Sequence, residues 1–212
     1  VWTALCDTAA CAAPGPSALR REHIEMAARI PSARIKDRLA DVIGAICAGM
    51  VPQSDRFLTA SVLSPVPKKE PGDFRPIGVG EILRRTAARI GLVTLLKHVG
   101  PALHDIGQFG TSPDGGHHVY HLIRRCAADG QYVVGIDIAN AFCTIDRERI
   151  LHAVRGLSDV RPLVEALYGN SADMILRPTG DVIVSDRGVV QGCPLASVLF
   201  ALAIQPAIDW AR

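Results

Sequence analysis

Between residues 61 and 79 the chain reads as an apolar run, a turn and a second apolar run: Ser61–Val66, then Glu70-Pro71-Gly72-Asp73, then Phe74–Val79. Proline presets φ and glycine accepts positive φ, so this quartet reverses the chain. The flanking runs are expected to pair as a hairpin whose tip and flanks carry Lys68, Lys69 and Arg75. Most of the remaining pattern is helical. Ser17 to Arg29 reads as a short helix broken by Pro31. Ser32 then caps a second helix with an apolar stripe at Ile35, Leu39, Val42, Ile43 and Ile46, ended by Gly49 and Pro52. Glu81 to His98 reads as a long helix with Ile82, Leu83, Ile90, Val93 and Leu96 inward and Arg84, Arg85 and Arg89 on the opposite side. A short helical turn is expected over Pro101 to Gly107.

Further along, Asp114 is expected to cap a helix over Gly115 to Ala128, and Tyr132 to Asp137 reads as a buried strand. Asp146 caps a helix over Arg147 to Gly156, and another covers Val160 to Tyr168. Ala172–Arg177 and Asp181–Ser185 pair around Pro178-Thr179-Gly180. A last helix runs from Pro194 to Trp210, with proline in its first turn. The expected class is α+β, helix-rich with short antiparallel strands.

With 212 residues and 49% apolar content the chain can bury a sizeable core. No apolar run reaches the ~18 residues of a membrane span, so no membrane partner is expected. The start lacks the basic residues of a signal peptide. Cysteines at 6, 11, 47, 126, 143 and 193 form no Cys-x-x-Cys pair. That argues for free thiols rather than a zinc finger or disulfide framework. Cys143 and Cys193 read as small packing residues. The formal charge of +2 is uninformative, but its distribution is not. Residues 55–97 hold eight basic against four acidic side chains, and residues 98–212 hold nine against twelve. A basic region beside a more acidic one suits the handling of phosphates next to a cation.

Chemistry concentrates in Gly135-Ile136-Asp137-Ile138-Ala139-Asn140-Ala141-Phe142. An apolar run delivers a lone carboxylate, Asp137. Such a carboxylate either solvates a strand end or holds a hard divalent cation, which takes oxygen ligands and shares them with phosphates. A second motif lies downstream, Gly188-Val189-Val190-Gln191-Gly192-Cys193-Pro194-Leu195-Ala196-Ser197-Val198-Leu199-Phe200. A third lies upstream, Pro67-Lys68-Lys69-Glu70-Pro71-Gly72-Asp73-Phe74-Arg75-Pro76-Ile77.

In this order the three blocks resemble the reverse transcriptase family. They match its aspartate motif, its Gln-Gly-x-Pro-x-Ser motif and its fingers hairpin. Arg75-Pro76-Ile77 and Leu83-Arg84-Arg85 look most like non-LTR retrotransposon and group II intron enzymes. The resemblance implies the fingers and partial palm of a right-hand polymerase. It divides the chain into an N-terminal helical extension (1–54), a fingers-like region (55–130) and a partial palm (131–212). It implies Mg²⁺ as cofactor, two ions in the complete enzyme, with RNA template, DNA primer and dNTP as partners. It also implies an intracellular setting, nuclear in a eukaryotic host. The family carries an adjacent pair of aspartates further on, and this chain has no Asp-Asp anywhere. It therefore reads as a fragment of a larger polyprotein or a degenerate copy, unable to polymerise by itself.

The resemblance gives roles to particular residues. Asp137 would be the catalytic metal ligand, with the carbonyl of Ile138 as a second oxygen. Arg75 would fork onto an inner phosphate and Lys68 would neutralise an outer one, in line with a planar fork and a mobile point charge. Phe142 would lie against the sugar and exclude a 2′-hydroxyl. Gln191 and Gly192 would contact nucleotide and template. Asn140 receives no role. His117, His118 and His121 have helical spacing that suits a metal, yet no further ligand is evident, and a solvated or template-facing helix is expected. Gly78-Val79-Gly80 lacks the third glycine of a dinucleotide fingerprint, and no phosphate-loop or nucleophile-elbow motif occurs. Two rivals remain: an inactive, nucleic-acid-binding remnant, and a viral-type RNA polymerase, against which the bulky Phe142 argues.

Overall fold

The hairpin forms where the turn chemistry puts it. Strands β1 (Ser61–Pro67) and β2 (Phe74–Gly80) pair antiparallel, with Val62 opposite Val79 and Val66 opposite Arg75. The computed structural model describes residues 1–9, 11–31, 34–52 and 56–211. Ser32, expected as a helix cap, lies outside them. A second hairpin, β3 (Ala172–Leu176) with β4 (Asp181–Ser185), joins through β3, which runs parallel to β1. The order is β2-β1-β3-β4, a small mixed sheet rather than a wholly antiparallel one. The helix-rich α+β class holds.

Ten α-helices are defined among the described residues: α1 (Trp2–Cys6), α2 (Arg21–Ala27), α3 (Ile35–Cys47), α4 (Arg56–Thr59), α5 (Ile82–Asp105), α6 (Gly115–Ala128), α7 (Ala141–Thr144), α8 (Arg147–Ala153), α9 (Arg161–Tyr168) and α10 (Ala196–Ala211). The core gathers Ile43, Leu95, Ile150, Leu163, Leu167, Leu195 and Leu199 from α3, α5, α8, α9 and the α10 region. Each such side chain contributes about 1.5–3 kcal/mol on burial.

Several expectations need correction. The segment 131–138 is not a buried strand. It is extended, unpaired and exposed, with Tyr132 at 100% and Ile136 at 84%. A strand needs a neighbour for its backbone groups, and none of the four sheet strands pairs with this segment. Helix α5 does not stop at His98 but runs through Pro101 to Asp105. Proline forfeits one hydrogen bond there without ending a helix held by packing on both sides. Helix α2 starts at Arg21, not Ser17, because the Ser17 amide and hydroxyl both donate to the Glu81 carboxylate, at 2.5 and 2.7 Å. Val42 and Val93, expected inside, are exposed.

The arginines of α5 also differ from expectation. Arg84 is buried at 2%, its guanidinium bonded to the Thr59 carbonyl and, at 3.5 Å, to the Ser61 hydroxyl. Arg85 donates to the Ala13 carbonyl and Arg89 to the Thr8 hydroxyl at 2.8 Å. Together with Arg177, which donates to the Gly15 carbonyl at 2.8 Å, they hold the N-terminal arm against the body. A guanidinium carries five donors on an apolar stem, so it can leave water once carbonyls replace its hydration.

Candidate functional site

The site assembles around α7. Asn140 takes a left-handed conformation, φ +51°, which asparagine tolerates better than most residues. This kink turns the exposed 131–138 segment into α7 and sets Asn140, Cys143 and Thr144 opposite the hairpin. Residues facing each other in antiparallel register share a sheet face. Leu63 and Pro65 of β1 and Phe74 and Pro76 of β2 meet α7 on such a face across a groove of about 480 Å³. Pro76 and Cys143 also line an adjoining cavity of about 210 Å³ with Gln191, Asp186 and Arg187.

Three main-chain hydrogen bonds tie the sequence blocks together. The Val189 amide donates to the Phe142 carbonyl at 2.7 Å, and the Gly188 amide to the Ile145 carbonyl at 2.8 Å. The Gly78 amide of β2 donates to the Gln191 carbonyl at 2.7 Å. Gly192 has φ +108°, and a Cβ there would lie 2.8 Å from the Gly78 carbonyl oxygen. Only glycine allows that approach. The Gln191 amide group donates to the Cys143 sulfur at 3.4 Å, so Cys143 does more than fill space.

The α7 end of the aspartate block, the Gln-Gly block and the Pro65–Pro76 face of the hairpin thus meet on one side of the sheet. Asp137 is solvent-exposed, three residues before Asn140. The Ile138 carbonyl accepts from the Ala141 amide at 3.3 Å, which leaves one lone pair free. The Phe142 ring is half-buried against Phe200 of α10, with centroids 5.0 Å apart. Arg75 is exposed on the face it shares with Val66, the opposite face from the groove. Lys68 is engaged within the turn: its ammonium lies 3.0 Å from the Asp73 carboxylate. Among the described residues no three His, Cys, Asp or Glu side chains cluster as a metal site. His118 stacks on Phe109, with centroids 5.2 Å apart.

Sequence reasoning missed Asn140, Cys143, Arg147 and Arg187 in these surroundings. For Asn140 a signal existed, since an Asn between a strand-like run and a helix suits positive φ. Arg147, at the first position of α8, is 6% exposed. Asp146 accepts from the Glu148 amide at 2.9 Å and caps that helix as expected. The Arg147 guanidinium lies 5.7 Å from the centre of the Tyr168 ring, and Arg84 lies at the same distance. Burial pulls the Arg147 pKa below its usual range. Burial, with the Cys193 thiol next, pushes the Tyr168 phenol up, so its hydroxyl keeps its proton.

A sheet hairpin bearing basic residues, a segment with an exposed carboxylate entering α7 and a glycine turn hydrogen-bonded to both are arranged as in a polymerase-class fold of fingers and palm. Residues 66–212 match the family model described as reverse transcriptase (RNA-dependent DNA polymerase), and the chain belongs to that family. It is 31% identical over 200 residues to the retrotransposable element SLACS 132 kDa protein of Trypanosoma brucei gambiense, covering 90% of this chain and 16% of that protein. It is 25% identical over 229 residues to the retrovirus-related Pol polyprotein from type-2 retrotransposable element R2DM of Drosophila melanogaster, covering 96% of this chain and 20% of that protein. Both relatives are retrotransposable-element proteins, in keeping with the non-LTR type, and the chain spans only a small share of either. No described helix is long and apolar enough to cross a membrane.

Proposed function

We propose that this chain is the fingers and partial palm of an RNA-directed DNA polymerase from a non-LTR retroelement, part of a larger polyprotein. The reaction is attack of a primer 3′-hydroxyl on the α-phosphate of a dNTP, chosen by an RNA template, with pyrophosphate leaving. It takes place inside the cell, in the nucleus of a eukaryotic host. The observation that carries the reading is the convergence of the three blocks through the Gly78–Gln191 and Phe142–Val189 hydrogen bonds.

Phosphoryl transfer asks a protein for positioned charge more than for covalent chemistry. The Asp137 carboxylate and the free lone pair of the Ile138 carbonyl are hard oxygens of the kind Mg²⁺ takes. Asp137 and the Ile138 carbonyl would hold one such ion, and two of them, when bound, would stabilise charge on the attacking and leaving oxygens. Lys68, on leaving Asp73, and Arg75, reaching round from the far face of the edge strand β2, contact the triphosphate. Phe142, braced by Phe200, walls the sugar. Gln191 and Gly192 hold the base pair and its template strand.

The first test is equilibrium titration of a fluorescent dNTP. Binding should require Mg²⁺ and weaken at least about tenfold in Asp137→Ala, the scale of one lost charge-assisted contact. Salt-sensitive RNA binding with no Mg²⁺-dependent dNTP binding would favour the inactive-remnant alternative. The second test is primer extension on homopolymer RNA. One aspartate cannot hold two ions, so residues 1–212 alone should incorporate nothing, and robust incorporation would overturn that expectation.

A further inference from the structure

The Arg147 guanidinium does not face the groove, yet it joins the elements that build it. Its Nε donates to the Gly188 carbonyl at 3.1 Å, one Nη to the Asn170 carbonyl at 2.7 Å and the other to the Ser185 hydroxyl at 3.0 Å. These acceptors belong to three separate places: the turn before Gln191, the end of α9 and the end of β4. All three are neutral. A buried cation satisfied only by neutral acceptors holds its geometry tightly, because losing any one of them leaves a donor unpaired away from water.

Gly188 is gripped from both sides. Its amide donates to Ile145 and its carbonyl accepts from Arg147, so the 145–147 segment closes on it like a clasp. Its φ is +67°, and a Cβ would strike the Phe142 carbonyl oxygen. One residue on, Val189 bonds Phe142; three residues on, Gln191 bonds Gly78 of the hairpin. The path from Arg147 to the hairpin is therefore a short chain of main-chain hydrogen bonds.

We infer that Arg147 is a positioning residue that sets the Gln191–Gly192 turn relative to Phe142 and β2 without itself touching substrate. Its role rests on the nucleotide site proposed above. Lysine keeps the charge but cannot fork onto three acceptors, so Arg147→Lys separates geometry from charge. Ser185→Ala removes a single bond and keeps the assay available if the lysine variant does not fold.

The test is amide hydrogen exchange by NMR on the intact chain, with and without each substitution. In Arg147→Lys the Gly78 and Val189 amides should exchange about tenfold faster or more, while the Leu163, Val164 and Leu167 amides of α9 change by less than about twofold. Ser185→Ala should move the same amides in the same direction by a smaller factor. Unchanged Gly78 exchange in the variants, or an equal rise at every amide as from general destabilisation, would overturn the inference. No nucleotide enters this measurement, so it succeeds or fails separately from the polymerase reading. A second arm, titration of Mg²⁺ with dNTP and rNTP, should show the preference for dNTP narrowing in Arg147→Lys while affinity for RNA stays constant. An intact preference would count against the inference.

Discussion

The helical pack of α8, α9 and the α10 region and the stretch from α6 to Ile138 are both rich in apolar side chains, yet their apolar stripes end in opposite states. In the first, Ile150, Val154, Leu163, Val164, Leu167, Leu195 and Leu199 are all at or near zero exposure. In the second, α6 buries no residue, Val119, Leu122 and Ile123 stay exposed, and Val134 is 81% open. The helical pattern of α6 is sound. What differs is the supply of partners: α9 packs on α3, α5 and α8, whereas α6 rests mainly on the 3₁₀ turn at Phe109–Thr111, with a ring contact from His118 to His104 of α5. An apolar stripe says which face wants covering, and burial follows only if another element arrives.

The contrast can be broken by substitution. Leu195→Ala should lower the unfolding free energy by about 2–5 kcal/mol, while Val134→Ala should change it by less than about 0.5 kcal/mol; urea denaturation reads both. Equal effects would show that the 131–138 segment is packed in solution after all. Next in size is Gly188→Ala. Positive φ and main-chain contact with Phe142 put the cost at roughly 1–3 kcal/mol. A neutral result would mean that the joint between α7 and the Gln-Gly turn is not rigid.

The smallest effect belongs to the N-terminal arm. The Cys11 amide, donating at 2.7 Å, is the largest influence holding the exposed Glu22 carboxyl below its ordinary 4.5. A carboxyl depressed in the folded state contributes stability above its unfolded value and loses it as pH falls through the folded one. Glu22→Gln should therefore lower Tm slightly at neutral pH, where the carboxylate's contribution is fully present, flatten the acid limb below about pH 4.5, and make little difference at the lowest pH. An unchanged acid limb would remove the arm from the ordered part of the comparison.

Local signals were legible in the sequence, and long-range ones were not. Pro71-Gly72 located the β1–β2 hairpin, Asp146 located the start of α8, and β4 and α6 have the expected bounds. Each depends on residues within a turn of one another. Burial of Arg84 and Arg147 depends on the Thr59 and Gly188 carbonyls, 25 and 41 residues away, and no pattern announces that. Lys68 is expected at a phosphate, and its pairing with Asp73 is hidden in the sequence because Asp73 also serves as turn punctuation. The three motif blocks were visible as strings. Their meeting through Gly78 and Gln191 was not, since main-chain groups carry no residue identity.

That last joint has a bearing on inheritance. Where β2 touches the Gln-Gly turn, the contact is made by peptide groups of Gly78, Gln191 and Gly192. Side chains nearby are free to diverge between copies of the element without dislodging the seam. The seam itself tolerates almost no drift, because any added carbon at Gly192 wedges it open. Lineages of this sequence should keep those glycines even where the packing side chains around them change.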